Sequence, residues 1–283
     1  KINDLESKLL DTHILKTKDI FINKNKIYIE TPLCKYIASN NKSYTTLEDI
    51  LFKNIRVINT LFLKKQYKII LKFDDVLTNH ILKPIINTLQ ILKKKLNFIH
   101  SDIKFKNIFI NKIKNPSLKI KDLQKYNLDL DFTPLIADFD KSSVIYNNIN
   151  LIPYGSSTKL NLLKITGRYI IEDIRHKCQT QLNNNKICKL YTNYEIDYLK
   201  IFINLYLIIY IQSNQHFIEI SNKLMKLKKY TQKILKLNED TFQLFLKTLK
   251  KKYDPSIKQI RVSNHISLII YYFCKQLDKY TSN

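Results

Sequence analysis

The stretch from Phe98 to Ile110, Phe-Ile-His-Ser-Asp-Ile-Lys-Phe-Lys-Asn-Ile-Phe-Ile, constrains this chain more than any other. Its apolar ends read as two short strands and its polar middle as a tight turn. An apolar helix leads into it: Leu77 to Leu96, with Ile81, Ile85, Ile86, Leu89, Leu92 and Leu96 at helical spacing. A second apolar segment, Leu135-Ile136-Ala137, follows later and ends in Asp138-Phe139-Asp140. Acidic groups flanked by core residues are held still by the scaffold. Asp102, Lys104, Asn107 and Asp138 then form a set: a carboxylate, a cation, an amide oxygen and a second carboxylate. Phosphoryl transfer asks for such a set, with a base to orient a hydroxyl, a positive group for the moving phosphoryl and oxygen donors for Mg²⁺.

His-x-Asp-x-Lys-x-x-Asn, followed by an apolar strand and Asp-Phe, resembles the catalytic loop and metal-binding turn of protein kinases. The resemblance implies that Asp102 is the base and Lys104 the phosphate-contacting cation. It makes Asn107 and Asp138 the ligands of Mg²⁺ or Mn²⁺, ATP the phosphoryl donor, and His100 the packing histidine that braces the loop. Two positions depart from the family pattern. Ser101 stands where an arginine is usual, which removes the partner of an activation-loop phosphate, and Asp140 stands where a glycine is usual, which stiffens the metal-binding turn. Tyr194-Glu195-Ile196-Asp197-Tyr198-Leu199 opens a strongly apolar helix running to about Ile211. By resemblance Asp197 is the aspartate that hydrogen-bonds the backbone of the catalytic loop; an acidic residue at a helix N-terminus is also favoured by the macrodipole alone.

The fold class expected is α+β: a partial, β-rich small lobe over residues 1–33 and a mainly helical large lobe over 34–283. Leu5, Leu9, Leu10 and Ile14 have helical spacing, and Ile20 to Asn23 and Lys26 to Thr31 read as strands around an Asn-Lys-Asn turn. In kinase terms these are the small lobe's helix and last two strands, with Thr31 to Cys34 as the hinge. Glu6 is then the candidate partner of the ATP-positioning lysine, and Glu30, Thr31 and Leu33 are the nucleotide-binding residues the resemblance implies. No Gly-rich loop or strand lysine precedes the helix, since the only glycines are Gly155 and Gly167; either both features lie upstream of Lys1, which the start at Lys1 favours, or the protein has discarded the usual phosphate cover.

Further along, Thr45-Thr46-Leu47-Glu48 has the form of a capping box, with Thr45 facing Glu48 and a helix to about Phe52. Relative to a compact kinase, Ile55 to Phe73 (an insertion near 55–75) and Lys112 to Asp131 are extra, the latter an exposed hairpin or loop. Residues 141–175 hold the position of an activation and substrate-binding segment. Gly155, Ser156, Ser157 and Thr158 lie within it, and Thr166-Gly167-Arg168-Tyr169 marks the substrate seat. Residues 179–186 read as a loop, and amphipathic helices are expected near 216–237, 240–251 and 265–277.

The net charge of +24 invites a nucleic-acid partner, but arginine occurs only at positions 56, 168, 175 and 261. Base-edge and phosphate recognition favours arginine's bidentate fork, so the lysines read as a solvated face and no specific nucleic-acid binding is expected. The chain is rich in Lys, Asn, Ile and Tyr and poor in Gly and Ala, as an AT-rich coding sequence would make it. Together with the long insertions, this resembles the divergent kinases of large DNA viruses and implies an intracellular location, in host cytoplasm or virion. No apolar run reaches the roughly 20 residues of a membrane span. Cys34, Cys178, Cys188 and Cys274 lack pair spacing and fit a reducing compartment, and His176 with Cys178 and Cys188 lacks the paired ligands of a zinc site. The function expected is transfer of the ATP γ-phosphate to a protein serine or threonine. The alternatives are a non-catalytic pseudokinase scaffold and a small-molecule kinase of the aminoglycoside or choline type.

Overall fold

The computed structural model describes residues 2–23, 26–100, 102–139, 142, 144–146, 149–151 and 195–212. They make an α+β protein of helices and small antiparallel sheets. The chain divides into two compact units, Lys1–Ile91 with Phe105–Asp138, and Leu92–Lys104 with Phe139–Asn283.

The first unit opens with helix α1 (Ile2–His13) and the antiparallel hairpin β1 (Asp19–Asn23) and β2 (Lys26–Glu30). A second, shorter hairpin pairs β3 (Tyr36–Ile37) with β4 (Ser43–Tyr44). Its turn places Asn41 at φ 59°, a left-handed position that asparagine tolerates better than most residues. Helix α2 (Leu47–Leu63) follows and buries Leu47, Ile50, Leu51, Ile55, Ile58 and Leu61, a stripe at 3.6-residue spacing.

The cap of α2 is Thr46 rather than Thr45. The Thr46 hydroxyl accepts the Asp49 amide at 3.3 Å and donates to the Asp49 carboxylate at 2.6 Å. Thr45 is committed elsewhere, its carbonyl accepting the Ile110 amide at 3.0 Å. The helix also runs well past Phe52, and Ile55, Ile58 and Leu61 of the apolar run that begins at Ile55 are buried along it. Helix α3 (Tyr67–Val76) completes that run and buries Ile70 and Phe73. A π-helical turn, Leu77–Leu82, then leads into α4 (Lys83–Leu96), with the Lys83 amide reaching back to the Thr78 carbonyl. Pro84 has no N–H for the carbonyl four residues earlier, and its ring crowds that carbonyl; the widened turn just before it absorbs both.

Strands β5 (Ile108–Lys112) and β6 (Phe132–Ile136) pair antiparallel, with Ile108 opposite Ile136. Between them the chain is packed rather than looped out. Helix α5 (Leu118–Gln124) buries Ile120 and Leu123, and Leu128, Asp129, Leu130 and Asp131 are buried after it. Each fully buried Leu or Ile contributes roughly 1.5–3 kcal/mol, which an exposed hairpin would forgo. The end of α1 is tied to β6: Ile14 bridges Ile136, and the Leu15 amide donates to the Ile136 carbonyl at 2.9 Å.

In the second unit, the described residues include the hairpin β7 (Val144–Tyr146) and β8 (Ile149–Leu151) and helix α6 (Glu195–Gln212). The polar residues Asp197, Lys200 and Asn204 of α6 are buried among apolar neighbours. Among the described residues no helix is long and apolar enough to cross a membrane.

Candidate functional site

Asn107 and Asp138 belong to the first unit, where the β5–β6 ladder carries both. Phe105–Asn107 forms a single 3₁₀ turn entering β5, and Ile108 lies opposite Ile136. The ladder continues one bond further, with the Ala137 amide donating to the Asn107 carbonyl at 3.0 Å. Asn107 and the residue preceding Asp138 are therefore hydrogen-bonded neighbours, although most of the intervening segment is occupied by α5 and its flanks. Asn107 is buried, whereas Asp138 is exposed.

Asp138 also has φ 64°, in the left-handed region. That conformation costs an L-residue about 1–2 kcal/mol, less for Asp and Asn, and such outliers concentrate at functional sites. An amide oxygen and a carboxylate are both hard donors. Two of them fit Mg²⁺, which keeps several waters and takes its remaining ligands from phosphates rather than from an all-protein cage. No cluster of three or more His, Cys, Asp or Glu suited to a metal occurs among the described residues.

Asp102 and Lys104 belong to the second unit. Their side chains form an ion pair at 3.0 Å and are 21% and 16% exposed. The turn that carries them is gripped through His100, which is fully buried. The His100 amide donates to Asp197 Oδ2 at 2.7 Å, and its carbonyl accepts the Asp102 amide at 2.8 Å and the Ser142 hydroxyl at 3.3 Å. The His100 ring lies 5.2 Å from the Phe139 ring and 6.2 Å edge-on from Phe98. A backbone held from both sides and an imidazole packed among aromatics leave this turn little freedom.

Of the other candidate residues, Glu6 is half-buried on α1, about two turns before His13. The helix is anchored there: His13 Nδ1 carries a proton to the Pro134 carbonyl at 2.9 Å, and burial holds the His13 pKa below its ordinary value. Glu30 pairs with Lys18 at 3.5 Å, both largely in solvent, and Thr31 and Leu33 are also exposed. Cys34 is a buried free thiol whose pKa burial pushes up. Ser101, Asp140, the segment from Gly155 to Tyr169, His176, Cys178, Cys188, Cys274, the loop at 179–186 and the three expected C-terminal helices lie outside the described residues.

A second polar cluster escaped the sequence reading. Asp129, 1% exposed, accepts the Ser39 amide at 3.2 Å and the Ser39 hydroxyl at 2.9 Å, and it pairs with Lys53 Nζ. Asn54 brackets the Asp129 backbone, donating to its carbonyl at 2.7 Å and accepting its amide at 3.0 Å. Asp131 accepts the Tyr36 hydroxyl, and burial with the two carboxylates drives the Tyr36 pKa upward. The one visible signal was Leu-Asp-Leu-Asp-Phe at 128–132, where aspartates alternate with core residues.

Compared with known proteins, the chain matches no family model and no curated protein sequence.

Proposed function

We propose that this chain is a kinase-like phosphotransferase that moves the γ-phosphate of ATP to a serine or threonine of a protein. The observation that carries the proposal is the register of β5 and β6, which brings Asn107 beside Ala137 and leaves Asp138 exposed in a left-handed conformation. Two hard oxygen donors drawn from distant parts of the sequence suit a Mg²⁺ held mainly by nucleotide phosphates. The Asp102–Lys104 pair supports the same reading. The carboxylate is accessible enough to accept a proton from a substrate hydroxyl, and the cation beside it suits a transferring phosphoryl. Asp197, Ser142 and Phe139 hold the turn through His100, so its geometry is pre-organised. Glu6, Glu30, Thr31 and Leu33 are assigned to the nucleotide side of the site by resemblance alone.

The test is transfer of labelled γ-phosphate to generic Ser/Thr peptides, with Mg²⁺ and Mn²⁺ tried separately, alongside metal-dependent ATP binding. Wild type should bind ATP with metal and transfer phosphate, and Asp138→Asn should weaken the metal-dependent binding. Binding without transfer would favour the pseudokinase scaffold. Transfer to aminoglycosides or choline in place of peptides would favour the small-molecule kinase, and neither binding nor transfer would overturn the proposal.

A further inference from the structure

We propose that the tip of the α2–α3 helical hairpin is a docking surface for an acidic, apolar-bearing peptide segment of a partner protein. The proposal stands independently of the phosphotransferase reading. Leu63 and Leu71 are 72% and 56% exposed and Tyr67 is 41% exposed, an unusual concentration of large apolar side chains in solvent. They cluster at the hairpin tip: Phe62 meets Tyr67 edge-to-face at 5.6 Å, Leu63 follows Phe62 in the chain, and Tyr67 and Leu71 share a face of α3 at i, i+4. Lys64, Lys65 and Lys68 are interleaved with them, all exposed, and none forms a salt bridge among the described residues. No aspartate or glutamate occurs between Asp49 and Asp74.

The backbone supplies a second, independent observation. Helix α2 ends in a Schellman motif, the Gln66 amide reaching the Leu61 carbonyl and the Lys65 amide the Phe62 carbonyl, both at 2.9 Å. Its left-handed position is Lys65, at φ 57°. Of the other left-handed non-glycine residues among those described, three are asparagines and the fourth is Asp138. A lysine there is strained in a position that Gly or Asn fills more easily, and the motif fixes this exposed cation at the hairpin tip beside Tyr67.

The charge complementarity selects the occupant. A second copy of the chain is disfavoured because each carries +24. A nucleic-acid backbone has no use for the exposed leucines. A membrane surface asks for a longer apolar face, and α3 spends Ile70, Phe73 and Val76 on the core. An acidic segment with apolar anchors matches both the lysines and the Leu63–Tyr67–Leu71 surface.

The experiment is fluorescence anisotropy of the full chain at physiological salt, using a labelled peptide that alternates Glu with Leu and Phe. Two control peptides carry Gln for Glu or Ser for the apolar residues. Lys65→Gly should weaken binding about two- to five-fold while raising the thermal midpoint, a pairing that a purely structural lysine would not produce. Leu71→Ser should weaken it about tenfold, and Lys64→Glu with Lys68→Glu should abolish it at the same concentrations. The equal-charge control, Lys8→Glu with Lys42→Glu, should change affinity less than two-fold. The proposal is overturned if the control weakens binding as much as the tip pair, or if Leu71→Ser has no effect. It is also overturned if the tip variants spare the peptide but abolish binding to phosphatidylserine vesicles, to duplex DNA or to another copy of the chain.

Discussion

Two aspartate–lysine pairs in this molecule differ in what surrounds them. Asp129 and Lys53 are 1% and 10% exposed, and their neighbours Ser39, Asn54 and Asn127 close around them with further hydrogen bonds. Asp102 and Lys104 sit in a turn whose backbone is clamped and whose side chains are part-buried, 21% and 16% exposed. In the first pair the side chains are used up in holding α2 to the segment before β6. In the second, the backbone is clamped through His100 and the side chains keep a partial exposure. The two pairs thus differ less in the residues that form them than in how far the surroundings enclose them. Removing one partner of a buried pair leaves the other charge stranded, at about 3–5 kcal/mol, whereas a part-exposed pair contributes about 0–1 kcal/mol.

The same substitution at both sites gives the largest expected contrast. Asp102→Asn should cut phosphate transfer by about 10² to 10⁴ and shift the urea midpoint by less than the roughly 3–5 kcal/mol of a fully buried pair implies. Asp129→Asn should do the reverse, costing about 3–5 kcal/mol in stability while the fraction still folded turns over normally. Equal losses of stability at the two sites would erase the distinction.

A smaller effect sharpens the same comparison at Asp138, where accessibility is combined with strain. Asp138→Gly should raise stability by about 1 kcal/mol by releasing the left-handed conformation, and should lose metal-dependent ATP binding. Asp138→Asn keeps a side chain that tolerates this conformation, so it should weaken binding without the gain in stability. Isothermal titration with Mg²⁺ and ATP beside a denaturant curve reads both. A Gly variant with neither gain nor loss would remove the functional reading of the strain.

The smallest expected effect concerns His13, a buried group with a single accepting carbonyl. Its folded pKa lies below the ordinary value of 6.5, so below about that pH the unfolded chain takes up a proton that the folded chain resists. Its contribution is fully present above pH 6.5 and is lost as the pH falls through the window beneath it. His13→Asn retains a donor toward the Pro134 carbonyl and does not titrate, so its denaturation midpoint should fall less than that of wild type between pH 7 and 5. Parallel curves for the two proteins would mean that burial of His13 carries no pH dependence.

Much of the local order was legible in the chain. The helical spacing of Leu5, Leu9, Leu10 and Ile14, the strands around residues 24–25 and the apolar helix opening near Asp197 all rest on patterns a few residues long, and α1, β1, β2 and α6 occupy those places. The boundaries depended on more. Thr45 and Thr46 are equally good caps by type; in the fold the Thr45 carbonyl pairs with Ile110, and the Thr46 hydroxyl takes the Asp49 amide. The apolar run at 55–73 shows in sequence only as apolar residues among lysines, and α2 and α3 settle which of them are buried.

Residue types and short spacings by themselves determined the α+β class, the polar turn at 100–107 and the candidate donors Asp102, Lys104, Asn107 and Asp138, because turn chemistry and hydrophobic period are properties of neighbouring residues. Tertiary structure decided that Asn107 lies beside Ala137, that Asp138 is left-handed and exposed, and that Asp129 is spent on Ser39, Lys53 and Asn54. The reason is that strand register and burial are set by packing between segments far apart in the chain. Exposed Asp138 and buried Asp129 are the same residue type until that packing decides which of them meets water.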